Sequence, residues 1–335
     1  VTTMKTWLHA AVVATTAACL AAASGAASAQ DSPTVRVGYW AGGVSAGIGL
    51  TLETERVLEK QGLDVEFTRF GRLGEVNRAL ISQSIDVAVA GGTIPTLLLS
   101  QQGVPATVIL ANLIADANFV VAQDSEITGL DQLAGTTIGS TPEGSTAYAL
   151  VGAILEQGYD IPRDAYEHVG AGEGQLATLV TQGDLDVALL RTITLRTLDT
   201  DLETLATVPD EWRRILDIES PPVLGVAVVS NDFLSKHPNL VDRYVAANIA
   251  ATRWGAKNAD KVAAILEEHL TMTPQDAAAY ASAWDRIYFA SLTDEDIESV
   301  LGMADMMRAA GEFEGEVPMS LFDQGPYQRA LKMVE

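Results

Sequence analysis

Short apolar runs alternate with amphipathic stretches from residue 34 onward. "TVRVGYW" (34–40), "DVEFTRF" (64–70) and "IDVAVAGG" (85–92) predict strands, because each is short, rich in β-branched or aromatic residues and bounded by turn residues. The segments between them, 46–61 and 73–83, carry apolar residues at helical spacing and predict helices. Such alternation predicts an α/β fold with parallel strands and crossover helices.

The same kind of series starts again near residue 135. Strands are predicted at 106–113, 118–123, 135–141, 166–170, 185–190, 202–208 and 221–234, and helices at 145–157, 173–182 and 192–199. After Pro238 the pattern becomes helical, with helix starts at Pro238, Thr273 and Thr293 and a helix stop at Gly311.

Two segments about a hundred residues apart are nearly the same. "LISQSIDVAVAGG" (80–92) and "LVTQGDLDVALLR" (179–191) share their flanking aliphatic residues, a Gln and an Asp-Val-Ala strand start. Asp86 and Asp186 open the matched strands, which predicts two lobes of similar construction. The alternative is convergence, because Asp-Val-Ala is a common way to begin a buried parallel strand. Both aspartates are interpreted as turn or capping residues, because strand starts lie at the sheet edge opposite the ligand.

The predicted lobes are assembled from discontinuous segments. Residues 30–122 and 226–335 form lobe 1 with the C-terminal helices, and residues 123–225 form lobe 2. Strands near 118–123 and 224–230 connect them. In open α/β sheets, ligands bind beyond the carboxyl ends of the strands, so the strand ends of both lobes are the positions to inspect.

The first 29 residues have the pattern of a secretory signal peptide. Lys5 supplies a positive end, residues 6–23 are small or apolar, and Ala27-Ser28-Ala29 fits a cleavage site before Gln30. The alternative is a retained membrane anchor, which the weakly apolar Ala- and Thr-rich run does not favour. We therefore expect export to a bacterial periplasm.

The cysteine content and the net charge argue against several classes of function. The single cysteine, Cys19, lies in the signal segment, so the exported chain lacks thiolate metal ligands and disulfides. Lipidation of Cys19 is the less favoured alternative, because Thr16 stands where a lipoprotein signal has an aliphatic residue. Without Lys5, the 21 Lys and Arg become 20 against 44 Asp and Glu, and the net charge becomes −24. Such a surface repels nucleic acid.

The strongest local signal is "GSTPEGSTAYAL" (139–150), where a strand runs through a Gly/Ser/Thr loop directly into a helix. Free backbone N–H groups and the positive end of the helix dipole make an anion seat at such a point. Thr141, Ser145 and Thr146 could add hydroxyl contacts to a ligand. The alternative for Thr141 and Ser145 is helix capping alone.

Other predicted ligand contacts lie at strand ends. Trp40 could form an aromatic wall or simply pack in the core; Gly92 and Thr93 open a helix as Ser145 does. Asn112 could donate to a ligand. Arg191 could pair with a carboxylate or sulfonate, or with one of the many surface acids.

The sequence offers little support for a catalytic site. No Gly-x-Ser-x-Gly elbow is present, and His168, His237 and His269 are scattered without metal-ligand spacing. "GAGEGQ" (170–175) departs from the dinucleotide-binding glycine pattern. The sequence therefore predicts no enzyme activity, no cofactor and no metal.

Several segments together resemble the periplasmic substrate-binding proteins of ABC importers, in particular the nitrate, sulfonate and taurine group that also includes thiamine-precursor binders. They are "VRVGYW", "NRALISQSIDVAVAGGTIPTLLLSQQGVP", "LAGTTIGSTPEGSTAYALVGAILEQGY", "LATLVTQGDLDVALL" and "SLFD". The resemblance extends from about residue 34 to 330. It implies a type II periplasmic-binding-protein fold that closes on a small solute and docks on a membrane permease.

Carried over by position, the resemblance places Thr141, Ser145, Thr146 and Tyr148 beside the ligand. The pattern departs from the taurine type after "DVALL", where Arg191-Thr192-Ile193 replaces Trp-Ala-Pro. The expected function is capture of a small organic anion, a sulfonate or carboxylate, by a monomeric receptor that delivers it to a permease. The alternatives are a neutral pyrimidine-like ligand stacked on Trp40 and bonded by Asn112, an exported enzyme on the same fold, and delivery to a sensor kinase.

Overall fold

Two separate β-sheets organise the chain. The computed structural model describes residues 33–42, 44–143, 145–198, 201–309 and 313–334, and the predicted signal peptide lies outside them. From Thr34 onward the described residues form one compact unit that holds both sheets. The strands are β1 (Val35–Trp40), β2 (Val65–Phe70), β3 (Val87–Gly92), β4 (Ala106–Ile114), β5 (Ala117–Ala122), β6 (Thr137–Ser140), β7 (Glu167–Gly170), β8 (Val187–Arg191), β9 (Leu202–Thr207), β10 (Val223–Ser230) and β11 (Tyr288–Ser291).

Helices cover these sheets. They are α1 (Ser45–Thr54), α2 (Val57–Lys60), α3 (Leu73–Ile81), α4 (Thr93–Gln101), α5 (Thr146–Tyr159), α6 (Glu173–Gln182), α7 (Thr192–Thr197), α8 (Val208–Leu216), α9 (Asn231–Lys236), α10 (Pro238–Lys257), α11 (Ala259–His269), α12 (Pro274–Ser282), α13 (Trp284–Ile287), α14 (Asp294–Ala309) and α15 (Gly325–Val334). Within the described ranges, none of these helices has both the length and the apolar character needed to cross a bilayer.

The first sheet has the order β11-β4-β10-β3-β1-β2, and the second has the order β7-β6-β8-β5-β9. This arrangement confirms the predicted α/β fold of two lobes with C-terminal helices. The chain passes between the sheets at residues 115–116 and 217–222. These two crossovers lie just before the predicted connections. In particular, β5 is a central strand of the second sheet, although the sequence assigned residues up to 122 to lobe 1.

The expected parallel pairing is confirmed for part of each sheet, and two strands depart from it. β1 is parallel to β2 and β3, and β6 is parallel to β7 and β8, whereas β5 and β10 run antiparallel to their neighbours. The start of β5 at Ala117 lies opposite Arg191 at the end of β8, and Gly225 of β10 lies opposite Gly92 at the end of β3. A strand that enters from a crossover therefore begins at the sheet edge where the parallel strands end.

The repeated segments occupy equivalent places in the two sheets. Asp86 Oδ2 accepts the Arg36 backbone N–H at 2.9 Å, and Asp186 Oδ2 accepts the Thr137 backbone N–H at 2.7 Å. Each carboxylate thus fixes the start of the sheet's central parallel strand against its neighbour, which agrees with the interpretation of both residues as capping groups.

A second matched pair supports the same equivalence. A side chain at Gly38 would meet Ile85 Cδ1 at 2.7 Å, and one at Gly139 would meet Leu185 Cδ1 at 2.7 Å. In both sheets an aliphatic side chain of the repeated segment, Ile85 or Leu185, packs directly against the glycine backbone of the neighbouring strand. Only glycine leaves room for that close approach.

Several elements differ from the sequence prediction. The predicted helix 46–61 is two helices, because Arg56 adopts a left-handed conformation with φ of 49° between them. The predicted strand 221–234 ends at Ser230, whose hydroxyl accepts the Phe233 N–H and caps α9. Helices α8, α11 and α15 and strand β11 were not predicted from the sequence.

Among the residues that the structure describes, buried side chains form three clusters. One packs the first sheet against α1, α10 and α11, and a small one lies under α6 in the second sheet. The largest extends through both lobes and includes Met303, Met306 and Met307 of α14. Helix α14 therefore packs against both halves of the molecule.

Candidate functional site

The carboxyl ends of the parallel strands in both sheets face a common cleft, which consists of two adjoining cavities. Cavity A has a volume of about 290 Å³ and cavity B about 310 Å³. Both are lined by Val44, Ser145, Thr146 and Leu224, so they form one continuous space. The wall combines residues from both lobes, as expected for a solute site in an open α/β fold.

Cavity A is largely aliphatic with three charged side chains. Its charged members are Asp116, Glu173 and Arg191. The others are Val44, Ile114, Ala115, Ala117, Thr141, Ser145, Thr146, Ala147, Leu150, Leu189, Ile193, Leu224 and Ile287.

Cavity B has no formally charged residue among its described lining. It is lined by Trp40, Val44, Ser45, Ala90, Gly92, Thr93, Ile94, Pro95, Leu113, Ser145, Thr146, Leu224, Met303 and Met307. Its polarity comes from hydroxyl groups and from backbone.

Three helices begin at the wall of cavity B. The first residue of α1 is Ser45, that of α4 is Thr93 and that of α5 is Thr146, and all three residues line the cavity. The first turn of a helix leaves backbone N–H groups without helical partners, and the helix dipole adds partial positive charge there. Three such ends around one uncharged space favour an oxyanion over a cation.

A pair of hydroxyls lies where the two cavities meet. Thr141 Oγ1 and Ser145 Oγ are 2.7 Å apart, and Ser145 Oγ also accepts the Tyr148 backbone N–H at 3.2 Å. One hydroxyl hydrogen is used between the two oxygens, which leaves the other for a ligand. The capping role predicted as an alternative for Ser145 is therefore real, and it coexists with a place on the cavity wall.

Arg191 stands at the end of β8 and is held by an acid from the neighbouring helix. Its Nε donates to Glu173 Oε1 at 2.6 Å, and the Thr194 hydroxyl donates to the other oxygen of Glu173. The Glu173 side chain is 14% exposed and that of Arg191 is 48% exposed. Among the described residues, the Nη groups of Arg191 have no hydrogen-bond partner. Arg191 also lines a wider adjoining space of about 550 Å³, so it stands at the mouth of cavity A.

On the lobe 1 side, two predicted residues are anchored by hydrogen bonds to backbone. Trp40 Nε1 donates to the Gly71 carbonyl at 3.1 Å. The buried Thr93 hydroxyl donates to the Val223 carbonyl at 2.6 Å, which ties the start of α4 to the start of β10. Both side chains are thus fixed before any ligand enters.

The structure brings most of the predicted site residues together. Seven of them line the two cavities: Trp40, Gly92, Thr93, Thr141, Ser145, Thr146 and Arg191. Asn112 and Tyr148 do not line either cavity, so the predicted ligand contacts of these two residues find no support.

Asn112 is 1% exposed and serves the sheet instead. Its Nδ2 donates to the Val89 carbonyl across β10, at the level where the β10–β3 pairing is interrupted between Val226 and Val228. The side chain satisfies a carbonyl that the irregular ladder leaves free. Nothing in the sequence marks this bulge.

Tyr148 lies two residues beyond Thr146, which turns it to a different face of α5. Its ring meets the His168 imidazole edge-on, with 4.7 Å between centroids, and the Arg163 guanidinium covers it at 3.9 Å. Burial, with a smaller contribution from Arg163, lowers the pKa of His168, and Glu143 opposes this shift.

Sequence reasoning missed several wall residues. Glu173 directly follows Gly170-Ala171-Gly172, the segment after β7, and is the first residue of α6. Its position at a helix start beside a strand end could have identified it from the sequence. Met303 and Met307 are one helical turn apart, but no pattern shows that α14 reaches the cleft.

Both crossovers are anchored to the C-terminal part of the chain. Arg286 donates to Asp116 from Nη2 at 2.8 Å and from Nε at 3.1 Å. Ser220 donates to Asp296 at 2.7 Å, and Ser299 donates to the Pro221 carbonyl at 2.6 Å. Both crossovers are therefore held by side chains of α13 and α14, and the first of them, through Ala115 and Asp116, also lines cavity A.

Reactive groups are sparse around the cleft. The described residues contain no cluster of three or more His, Cys, Asp or Glu that could hold a metal ion. Ser140 Oγ lies 2.8 Å from His168 Nε2, yet Ser140 is fully buried and lies behind the cavity wall.

Comparison with known proteins agrees with this architecture. A family model described as "ABC transporter, phosphonate, periplasmic substrate-binding protein" matches residues 54–296. The taurine-binding periplasmic protein of Escherichia coli K12 is 25% identical over 205 residues, which span 60% of this chain and 61% of that protein. The match thus spans less than two thirds of that relative's length.

Solved structures show the same fold. The periplasmic aliphatic sulphonate binding protein SsuA of Escherichia coli superimposes with a TM-score of 0.70 at 17% identity, covering 85% of this chain and 90% of that chain. The desulfurization enzyme DSZB superimposes with a TM-score of 0.60 at 15% identity, covering 91% of this chain and all of that chain. Because the family model covers more than half of the sequence, the chain belongs to this family of periplasmic substrate-binding proteins of ABC transporters.

Proposed function

We propose that this member of the ABC-transporter substrate-binding family captures a small organic oxyanion, in the first place a sulfonate, and presents it to a membrane permease. The observation that carries the proposal is the convergence of α1, α4 and α5 on a cavity with no charged residue in its described lining. The family description names phosphonate, and the taurine- and sulphonate-binding relatives are named for sulfonates. All of these ligands carry a tetrahedral oxyanion.

The acid group of the ligand sits where cavities A and B meet, at the first turn of α5. There the Ser145–Thr141 hydroxyl pair and the free N–H groups of α5 supply donors without formal charge. Arg191, at the mouth of cavity A, adds a charge-assisted contact through its Nη groups. The aliphatic wall of cavity A receives the organic part of the ligand.

Closure follows from the two-lobe construction. We assign residues 34–114 and 223–334 to lobe 1 and residues 117–216 to lobe 2. Rotation about the crossovers at 115–116 and 217–222 brings α5 of lobe 2 towards α1 and α4 of lobe 1. A ligand shifts this equilibrium only as far as it binds the closed state more tightly than the open one. The closed monomer is the form that the permease recognises, and the signal peptide takes the chain to the periplasm.

Two other functions are less well supported. A pyrimidine-like ligand could stack on Trp40, but Asn112, which was to bond it, lies buried behind the wall. Enzyme activity occurs on this fold in DSZB, whereas here no described acid, base or thiol faces the ligand apart from the ion-paired Asp116 and Glu173. Mass spectrometry of the protein incubated with its tightest ligand should show no product.

Thermal-shift screening tests the ligand class. The panel is butane-1-sulfonate, taurine, methylphosphonate, succinate, nitrate and a thiamine-precursor pyrimidine. A ligand at a hundred times its Kd stabilises the native state by about 2.7 kcal/mol. We expect the sulfonates to raise Tm most; stabilisation by the pyrimidine alone would refute the proposal.

A matched pair of cap variants locates the site. Ser145 and Thr273 each cap a helix by accepting the N–H three residues on. Replacing either by alanine costs about 1 kcal/mol of stability. Only Ser145→Ala should also weaken the binding of butane-1-sulfonate, because Thr273, which precedes α12, lines neither cavity. Equal affinities of the two variants would place the anion elsewhere.

A further inference from the structure

A buried side-chain pair lies directly behind the loop that carries Thr141 and Ser145. Ser140 is the last residue of β6 and is fully buried, and His168 is half-buried on the adjacent strand β7. Ser140 Oγ lies 2.8 Å from His168 Nε2 and 3.0 Å from the Thr141 carbonyl oxygen. Neither residue lines cavity A or B, so ligand contact does not explain the pair.

The direction of these hydrogen bonds follows from counting hydrogens. Ser140 has one hydroxyl hydrogen, and the Thr141 carbonyl can only accept it. The Ser140 oxygen must therefore accept from His168, which assigns the hydrogen of the neutral imidazole to Nε2. The series of hydrogen bonds continues from Thr141 Oγ1 to Ser145 Oγ at 2.7 Å, and Ser145 is on the cleft wall. A continuous set of contacts thus links His168 to the proposed anion seat.

The imidazole is held in this orientation from several sides. The Tyr148 ring of α5 meets it at an interplanar angle of 71°. Arg163, from the short turn before β7, lies with its guanidinium over the Tyr148 ring. Its Nη2 donates to the Tyr148 carbonyl at 3.3 Å. Through Tyr148, the first turn of α5 and the imidazole are packed as one unit.

We propose that His168 and Ser140 are positioning residues for the anion seat. They fix the Thr141 carbonyl, so that the Thr141 side chain stays on Ser145 and one hydroxyl hydrogen of that pair remains directed to the ligand. This inference rests on the proposed function, because it assumes an oxyanion at the first turn of α5. It assigns a role to two residues that do not touch the ligand.

Protonation of His168 adds a second effect. The charged or titratable groups around the imidazole are Arg163, Glu143 from the loop, Tyr148 and Tyr166. Burial first, and Arg163 second, lower its pKa, while Glu143 raises it, so the ring is neutral at pH 7 and becomes charged below its usual value of 6.5. Protonation keeps the Nε2 hydrogen in place and adds positive charge behind the seat. Binding of an anion should therefore tighten as the pH falls.

Calorimetric titration with butane-1-sulfonate at pH 7.5 tests the arrangement. Ser140→Ala removes the contact to the Thr141 carbonyl, and His168→Leu removes the imidazole that holds the Ser140 hydroxyl in place. Each should raise Kd about fivefold, the effect of one neutral hydrogen bond. Their effects on Kd should not add in the double variant, because each substitution interrupts the same series of hydrogen bonds. His168→Gln keeps a terminal N–H and should stay within about twofold of the wild type. A purely structural role would not give this rescue.

Two further measurements complete the test. Between pH 7.5 and 5.5, the wild type should bind butane-1-sulfonate about two- to threefold more tightly at the lower pH, whereas His168→Gln should show no change. Nitrogen NMR of the free protein should find His168 as the Nε2–H tautomer. An Nδ1–H tautomer, or unchanged Kd values for Ser140→Ala and His168→Leu, would overturn the inference. Failure of butane-1-sulfonate to bind the wild type would instead count against the proposed function, and the tautomer would still decide the hydrogen-bond direction.

Discussion

Replacing Arg191 by alanine tests how far the anion seat depends on a formal charge. A unit charge pair at 4 Å is worth about 4 kcal/mol at an effective dielectric constant of 20 and about 1 kcal/mol in bulk water. The Arg191 side chain is half-exposed, so the interaction belongs near the lower figure. We therefore expect Kd for butane-1-sulfonate to rise about tenfold, or ~1.4 kcal/mol.

Part of this loss comes from the partner that is left behind. Without Arg191, the mostly buried carboxylate of Glu173 keeps its hydrogen bond from Thr194 but loses its counter-charge, and it repels an anion in the same cavity. The double variant Arg191→Ala/Glu173→Gln should therefore recover about threefold of the lost affinity. Arg56→Ala is the matched control, because Arg56 also pairs with a glutamate, Glu59, but lies on the surface away from both cavities.

Isothermal titration at two salt concentrations provides the readout. Wild-type affinity should fall as salt is raised, and the dependence should be weaker in Arg191→Ala, since a charge pair is screened and a helix N-terminus less so. A Kd within twofold of the wild type for Arg191→Ala would remove Arg191 from the site. A similar loss for Arg56→Ala would show that the effect reflects the net charge of the protein.

Three other predictions concern stability. In urea unfolding, Gly255→Ala should lower the free energy of unfolding by about 1–3 kcal/mol, because a Cβ there would overlap the indole of the buried Trp284. Asn112→Ala should cost about 1–3 kcal/mol in the same assay by leaving the Val89 carbonyl unpaired, yet leave the Kd for butane-1-sulfonate unchanged; a weakened Kd would return Asn112 to the ligand site. Burial raises the pKa of Tyr280 to about 12 and that of its hydrogen-bonded partner Tyr288 well above 10. Stability from this pair is fully present below pH 10 and should be lost as the pH rises towards 12, and the tyrosinate absorbance contributed by these two residues should rise only on unfolding.

The local sequence pattern predicted individual strands and helices better than the direction and pairing of the strands in the sheets. Apolar periodicity located the strands of both repeats, and the matched Asp86 and Asp186 indicated two lobes, because the same side-chain contact fixes the same strand start twice. Strand direction was not predictable in this way. Whether β5 and β10 run parallel depends on where the chain leaves the other lobe, which is a property of the tertiary fold.

The same distinction applies to the candidate site: residues that depend on local sequence were predicted, and residues that depend on tertiary contacts were not. Ser145 and Thr93 were predictable because a strand, a small loop and a helix start are contiguous in sequence. Asn112 was misassigned because its role depends on an irregular pairing between β10 and β3. Met303 and Met307 were missed because α14 reaches the cleft through tertiary packing, which its local sequence pattern does not show.

Helix α14 is suited to an optical measurement of solute capture. Its first turns hold the second crossover through Asp296 and Ser299, and its later turns line cavity B with Met303 and Met307. The side chain of Glu298 lies within the first of these regions and is exposed. The sequence's single cysteine, Cys19, lies within the predicted signal peptide, so a cysteine introduced at Glu298 would be the only thiol after cleavage. A fluorophore attached there would convert lobe movement into a change in emission and make the protein a reagentless sensor for its own ligand.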